Sequence, residues 1–194
     1  MKIVEIEVIL EDVIPVVRRV IEVPLKIKLS ELHLTIQSAF GWENMHLYQF
    51  SPGEPYQLGG KNWVSPDFWV APDFMEEPEN MSAEEYTLAQ AITLANPKPL
   101  TYVYDFGDDW IHTLKIGEAK EHALGVRYPL LIDVEGTCPP EDVGGVYGYA
   151  EFLDAMKDKK HEQHQETKRW YGGIFKPNDP PVEKLQKEVQ LIAL

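Results

Sequence analysis

The chain has one cysteine, Cys138, in 194 residues, so it can form no intramolecular disulfide and nothing asks for an oxidising compartment. Cationic side chains are also scarce. Eighteen Lys and Arg stand against 32 Asp and Glu, a formal net charge of −14. Proteins that grip nucleic acid gain affinity by laying cations against phosphates, so this balance argues against a nucleic-acid partner. No apolar run reaches the roughly 18–20 residues that span a bilayer. The first residues place Glu5 and Glu7 where a signal peptide needs an unbroken apolar core. The expectation is a soluble cytoplasmic protein without a membrane partner. Several familiar signatures are missing as well: Gly-x-x-x-x-Gly-Lys, His-Glu-x-x-His, Gly-x-Ser-x-Gly and paired Cys-x-x-Cys.

What is present is ordinary for a folded domain: 44% hydrophobic and 26% charged residues, enough for one well-buried core. Residues 2–10 alternate, with Val4, Ile6, Val8 and Leu10 on one face, and residues 16–23 supply an antiparallel partner. Ser30 offers an N-cap for a helix carrying Leu32, Ile36, Ala39 and Phe40, stopped by Gly41. Short strands are expected at 46–50 and 56–58. Residues 52–82 form an irregular insertion rich in proline, acids and aromatics (Trp63, Phe68, Trp69, Phe74), with a helical piece opening at Ser82. Residues 100–106 and 110–116 form a hairpin. A three-residue turn, Gly107-Asp108-Asp109, would pair Tyr104 with His112 and keep both apolar stripes on one face. An apolar strand follows at 128–134. Helical pieces are expected after Gly148, over 158–170 with Trp170 as anchor, and after Pro180-Pro181, with Val182, Leu185, Val189 and Ile192 facing the core. The fold class is α+β: a single domain over 1–194, with a curved, mainly antiparallel sheet and helices packed on one side.

Two segments carry the candidate chemistry, Tyr104-Asp105-Phe106-Gly107-Asp108-Asp109-Trp110-Ile111-His112 and Cys138-Pro139-Pro140-Glu141-Asp142-Val143-Gly144-Gly145. Asp and Gly are what hairpin turns use, so the first has a purely structural reading. Its functional reading is convergence with the second, whose prolines and glycines stiffen the support for Glu141 and Asp142. The candidate site is then Tyr104, Asp105, Asp108, Trp110, His112, Glu141, Asp142 and Tyr149. A divalent cation is the cofactor such groups suit, with Asp105, Asp108, His112, Glu141 and Asp142 as ligands. His161 and His164, three apart, would share a helical face and could also bind metal. Alternatively His112 is a core histidine, and the 161–164 pair belongs to a solvated helix. Cys138 fits a buried thiol better than a nucleophile, because neighbouring acids disfavour a thiolate.

The ordered motifs Pro15-Val16-Val17-Arg18-Arg19-Val20, Leu32-His33-x-x-Ile36-Gln37-x-Ala39-Phe40-Gly41-Trp42, His46-Leu47-Tyr48-Gln49-Phe50 and the two segments above resemble the plasmid pRiA4b ORF-3-like family. The resemblance runs from about residue 3 to Pro177. It implies a compact α+β domain and an association with mobile elements, and it brings no established activity, cofactor or catalytic residue. Lys176 stands where the family pattern has an acid.

Three functions are compatible with these features. The first is a non-enzymatic adaptor that binds a protein or peptide through the 63–74 insertion and the two loops, since Trp and Tyr make good interface anchors. The second is a metal-dependent hydrolase of the phosphoester class. The third, a resolvase-like DNA-binding protein, is opposed by the charge and by the lack of a basic helix-turn-helix.

Overall fold

The structure is a computed structural model that describes residues 1–55, 61–64 and 79–192. Strand β1 (Lys2–Leu10) buries Val4, Ile6, Val8 and Leu10 as the alternation requires. It pairs antiparallel with β2 (Val17–Pro24), from Ile3 opposite Pro24 to Leu10 opposite Val17. The remaining strands are β3 (Tyr48–Pro52), β4 (Lys61–Val64), β5 (Glu79–Ser82), β6 (Leu100–Tyr104), β7 (Trp110–Ile116), β8 (Lys120–Glu121) and β9 (Leu130–Glu135). Together they make one open sheet in the order β5-β4-β3-β6-β7-β1-β2-β9, with β8 against β1. Among the described strands only the β4–β5 pair is parallel. With five helices among the described residues, this is a single α+β domain.

The first helix, α1 (Leu29–Phe40), buries Leu32, Ile36, Ala39 and Phe40 on one face. It starts two residues earlier than a Ser30 cap suggests. Lys28 is the N-cap, and its backbone N–H donates to the Glu31 carboxylate at 2.9 Å. The Ser30 N–H is taken by the Ala83 carbonyl. Gly41 closes the helix at φ +83°, a left-handed position where a side chain would be strained. Residues 83–85 form a turn rather than a helix. The helix α2 (Leu88–Ala95) begins only after Thr87, whose hydroxyl accepts from the Gln90 N–H.

Helices α3 (Gly145–Lys157), α4 (His164–Tyr171) and α5 (Val182–Leu191) follow. α5 packs on α1 and β9 through Leu185 and Val189, while Val182 stays 37% exposed. α4 is shorter than the 158–170 pattern implies, and Trp170 is 52% exposed, packing edge-on against Phe152. The core is one cluster running from Val4 to Val189 and including Trp42, Tyr102, Tyr104 and Trp110. Each such side chain, fully buried, contributes about 1.5–3 kcal/mol.

Trp63 is also in that core, 0% exposed, so it cannot serve as the surface contact expected of it. Phe68, Trp69, Phe74 and the expected strand at 56–58 lie outside the described residues. Among the described residues no helix is long and apolar enough to cross a membrane.

The hairpin keeps its expected face but not its register. Tyr104 pairs with Trp110 and Tyr102 with His112, two residues out from the three-residue turn. A slip of two preserves which side chains point inward, because the side-chain period is also two. The cause is Asp105. Its N–H is drawn to the Leu47 carbonyl at 3.0 Å and its φ is +57°, so it leaves the ladder and the connection becomes residues 105–109.

Candidate functional site

The 105–109 loop and the 138–145 loop are in direct contact. The Asp108 carboxylate accepts from the Gly144 N–H at 3.1 Å. The Gly145 backbone lies so close to Asp108 that a Cβ there would stand 2.5 Å from the Asp108 carbonyl oxygen. Gly145 also sits at φ +66°, so both space and conformation demand glycine. Gly145→Ala is expected to cost about 3 kcal/mol, from left-handed strain plus overpacking. Urea denaturation measures it, and an unchanged midpoint would show that the two loops are not held together here.

Glu141 is fixed by two hydrogen bonds to one oxygen. Its Oε1 accepts from the Glu43 N–H at 2.8 Å and from the Tyr104 hydroxyl at 3.0 Å. The Tyr104 oxygen in turn accepts from the Met45 N–H at 2.9 Å. Burial pushes the Glu141 carboxyl above its usual range, against those two hydrogen bonds and the nearby His46. Burial first, and Glu141 second, push the Tyr104 hydroxyl up as well, so it stays a proton donor.

The residue that organises the cluster is His46, on the loop between α1 and β3. Its Nε2 stands 3.0 Å from Asp142 Oδ1, 3.5 Å from Asp105 Oδ2 and 4.0 Å from Glu141 Oε2. The ion-pair distance to Asp142 is short, but hydrogen-bond alignment is lacking. His46 Nε2 and Glu141 Oε2 are both buried atoms without a hydrogen-bond partner. Such orphans are costly unless something else satisfies them. One donor atom each from His46, Asp105 and Asp142 lies within 4.8 Å of the other two. Donors sharing one ion at about 2.0–2.3 Å stand roughly 3–4 Å apart, so little closure is needed.

The backbone here is unusual. Asn44, Asp105, Asp109 and Asp142 all have φ of 56–57°, four of the five left-handed non-glycine residues among those described. Such conformations persist only where the surroundings over-determine them. Part of that support is a buried network behind the His46 loop. His33 stacks on Tyr48 at 3.6 Å between centroids. It also bridges the Tyr102 hydroxyl, 2.8 Å from Nδ1, and the Asn44 side-chain oxygen, 2.6 Å from Nε2. The amide oxygen can only accept, so Nε2 carries the proton and Tyr102 donates to Nδ1. Gln37 completes the network, donating to the Tyr102 oxygen and accepting from the Asn44 N–H.

Of the residues expected at the site, Tyr104, Asp105, Asp108, Glu141 and Asp142 are brought together. Asp108 spends a carboxylate oxygen on the Gly144 amide rather than on the cluster. Trp110 and Tyr149 are core residues, 0% and 1% exposed. His112 stands outside the His46, Asp105 and Asp142 cluster: it is fully buried, edge-on to Phe40 and Trp42, with Nδ1 3.3 Å from the Tyr102 carbonyl and Nε2 without a hydrogen-bond partner. His161 and His164 share no helical face, because α4 begins only at His164. His164 bonds the Ala155 carbonyl, and His161 accepts from the Gln163 N–H. Burial pushes the Cys138 thiol up, more than Arg19 pulls it down, which disfavours the thiolate a nucleophile needs. His46 was legible only as part of the His46-Leu47-Tyr48-Gln49-Phe50 motif, where it reads as the start of a strand.

Comparison with known proteins agrees with this architecture. A protein of unknown function from Methanosarcina mazei, MM3350, has a crystal structure that superposes with a TM-score of 0.76. It is 30% identical, with 92% of this chain and 94% of that one covered. The uncharacterised protein y4hQ of Sinorhizobium fredii is 39% identical over 171 residues, covering 88% of this chain and 81% of the relative. The family model described as plasmid pRiA4b ORF-3-like protein matches residues 2–184, and the chain belongs to that family.

Proposed function

We propose that this protein binds a divalent cation at His46, Asp105 and Asp142 and uses it for hydrolysis. The observation that carries the reading is the convergence of one imidazole and two carboxylates within 4.8 Å, beside two buried polar atoms with no hydrogen-bond partner. A mixed nitrogen and oxygen set suits Mn²⁺, Fe²⁺ or Zn²⁺. Three protein ligands leave positions open, and an ion so held supplies an acidified water or a polarised carbonyl. Glu141, anchored by Tyr104 and the Glu43 amide with its carboxyl shifted upward, is placed to accept a proton at Oε2.

The test is a thermal-shift titration with Mn²⁺, Zn²⁺, Mg²⁺ and Ca²⁺. An ion at a hundredfold excess over its Kd stabilises the native form by about 2.7 kcal/mol. Wild type is expected to gain that stabilisation with Mn²⁺ or Zn²⁺, and His46→Ala and Asp105→Asn to lose it. No gain in wild type, or an equal gain in His46→Ala, overturns the reading.

A further inference from the structure

We infer that the groove between α3 and α4 docks an arginine-bearing peptide of a partner protein. The groove holds about 330 Å³ and begins where the cation cluster ends, because Asp142 lines both. Glu151 on α3 and Glu166 on α4 face it from opposite walls, and Phe152 and Trp170 supply its apolar surface. Among the described residues no basic side chain lines it. Among the described residues neither Glu151 nor Glu166 takes part in an ion pair. Trp170 rests by its edge on Phe152, at 5.9 Å and 73°, and remains 52% exposed.

An exposed indole lining one groove with two carboxylates that join no ion pair among the described residues is complementary to a cation, and charge complementarity is what fixes a partner's identity and register. Guanidinium fits better than ammonium. It stacks on the indole face, sheds water more readily, and presents several donors in one plane for two carboxylates on opposite walls. The same charges repel phosphorylated peptides and nucleic acid. The docking needs no cation at His46, so it stands apart from the hydrolytic reading.

The experiment uses the full chain and a fluorescent octapeptide, blocked at both ends, with three arginines. Lysine and citrulline versions serve as comparisons, and binding is followed by anisotropy. The arginine peptide is expected to bind at least about tenfold tighter than the citrulline one, a difference of about 1.4 kcal/mol. Glu151→Gln with Glu166→Gln removes that preference, and so does Trp170→Ala. The pair Glu118→Gln with Glu183→Gln changes net charge equally but lies off the groove, and it leaves binding in place. His46→Ala also leaves it in place. Equal affinity for citrulline, or equal weakening by the off-groove pair, overturns the proposal.

Discussion

Arg19→Ala is expected to lower stability by about 4 kcal/mol, near the upper end for one substitution, and to drop Tm by roughly 8–16 °C. Arg19 lies on the inward face of β2 between Val17 and Ile21 and is only 1% exposed. Among the described residues no carboxylate pairs with it. Its Nε donates to the Ala39 carbonyl at 2.7 Å. Its Nη1 reaches the carbonyls of Arg18, Glu135 and Gly136 at 2.8–3.0 Å. One guanidinium thus ties the last turn of α1 to the end of β9, and its carbon lies 4.9 Å from the Phe40 ring centroid. Burial lowers its pKa, yet it stays charged because arginine starts so high. Truncation to alanine leaves several interior carbonyls without donors and opens a void. Arg19→Met, which keeps the stem and removes the charge, should lose less. Urea melts of the two variants decide the matter: equal loss, or a loss below about 1 kcal/mol for alanine, means water replaces the guanidinium freely.

Acid should weaken the fold well before ordinary carboxylates titrate. Burial lowers the His33 imidazole from 6.5 to about 4 and the His112 imidazole from 6.5 to about 3. Both are therefore neutral in the native state while the unfolded chain takes up protons near pH 6.5. In that interval the unfolded state binds more protons, so stability rises with pH. The contribution is complete above pH 6.5 and is lost as pH falls toward 4 and then 3. At about 1.36 kcal/mol per pH unit, His33 accounts for about 3 kcal/mol and His112 for about 5 kcal/mol. Glu141 runs the other way, since a carboxyl shifted upward favours the native state at lower pH. Denaturation at pH 7, 5.5 and 4.5 is expected to show falling stability. His112→Phe, which keeps a ring against Phe40 and Trp42 but cannot titrate, should flatten the slope. An identical slope in that variant would sink the assignment.

Much of this molecule was legible from periodicity. Val4, Ile6, Val8 and Leu10 declared the inner face of β1, and the aromatic stripes of β6 and β7 declared theirs. The meeting of the two acidic loops was one of two readings that their composition left open, the other being ordinary turn chemistry. Long-range contacts were the hidden part. Nothing local says that Leu47 will capture the Asp105 amide and lengthen the hairpin loop. Nothing local says that Ala83 will take the Ser30 N–H and move the helix start. His46 stayed concealed because a residue before Tyr-Gln-Phe reads as strand, and Arg19 because arginine at an inward position defies the usual partition.

The left-handed aspartates have one more implication. Glycine at positions 105, 109 and 142 would relieve about 1 kcal/mol at each. Against that relief stands what the carboxylates hold, such as the Gly107 N–H that the Asp105 side chain accepts at 2.9 Å. That the chain holds acids in a posture glycine adopts freely means the scaffold tolerates a standing strain at this corner, the first place where engineering for heat resistance would look.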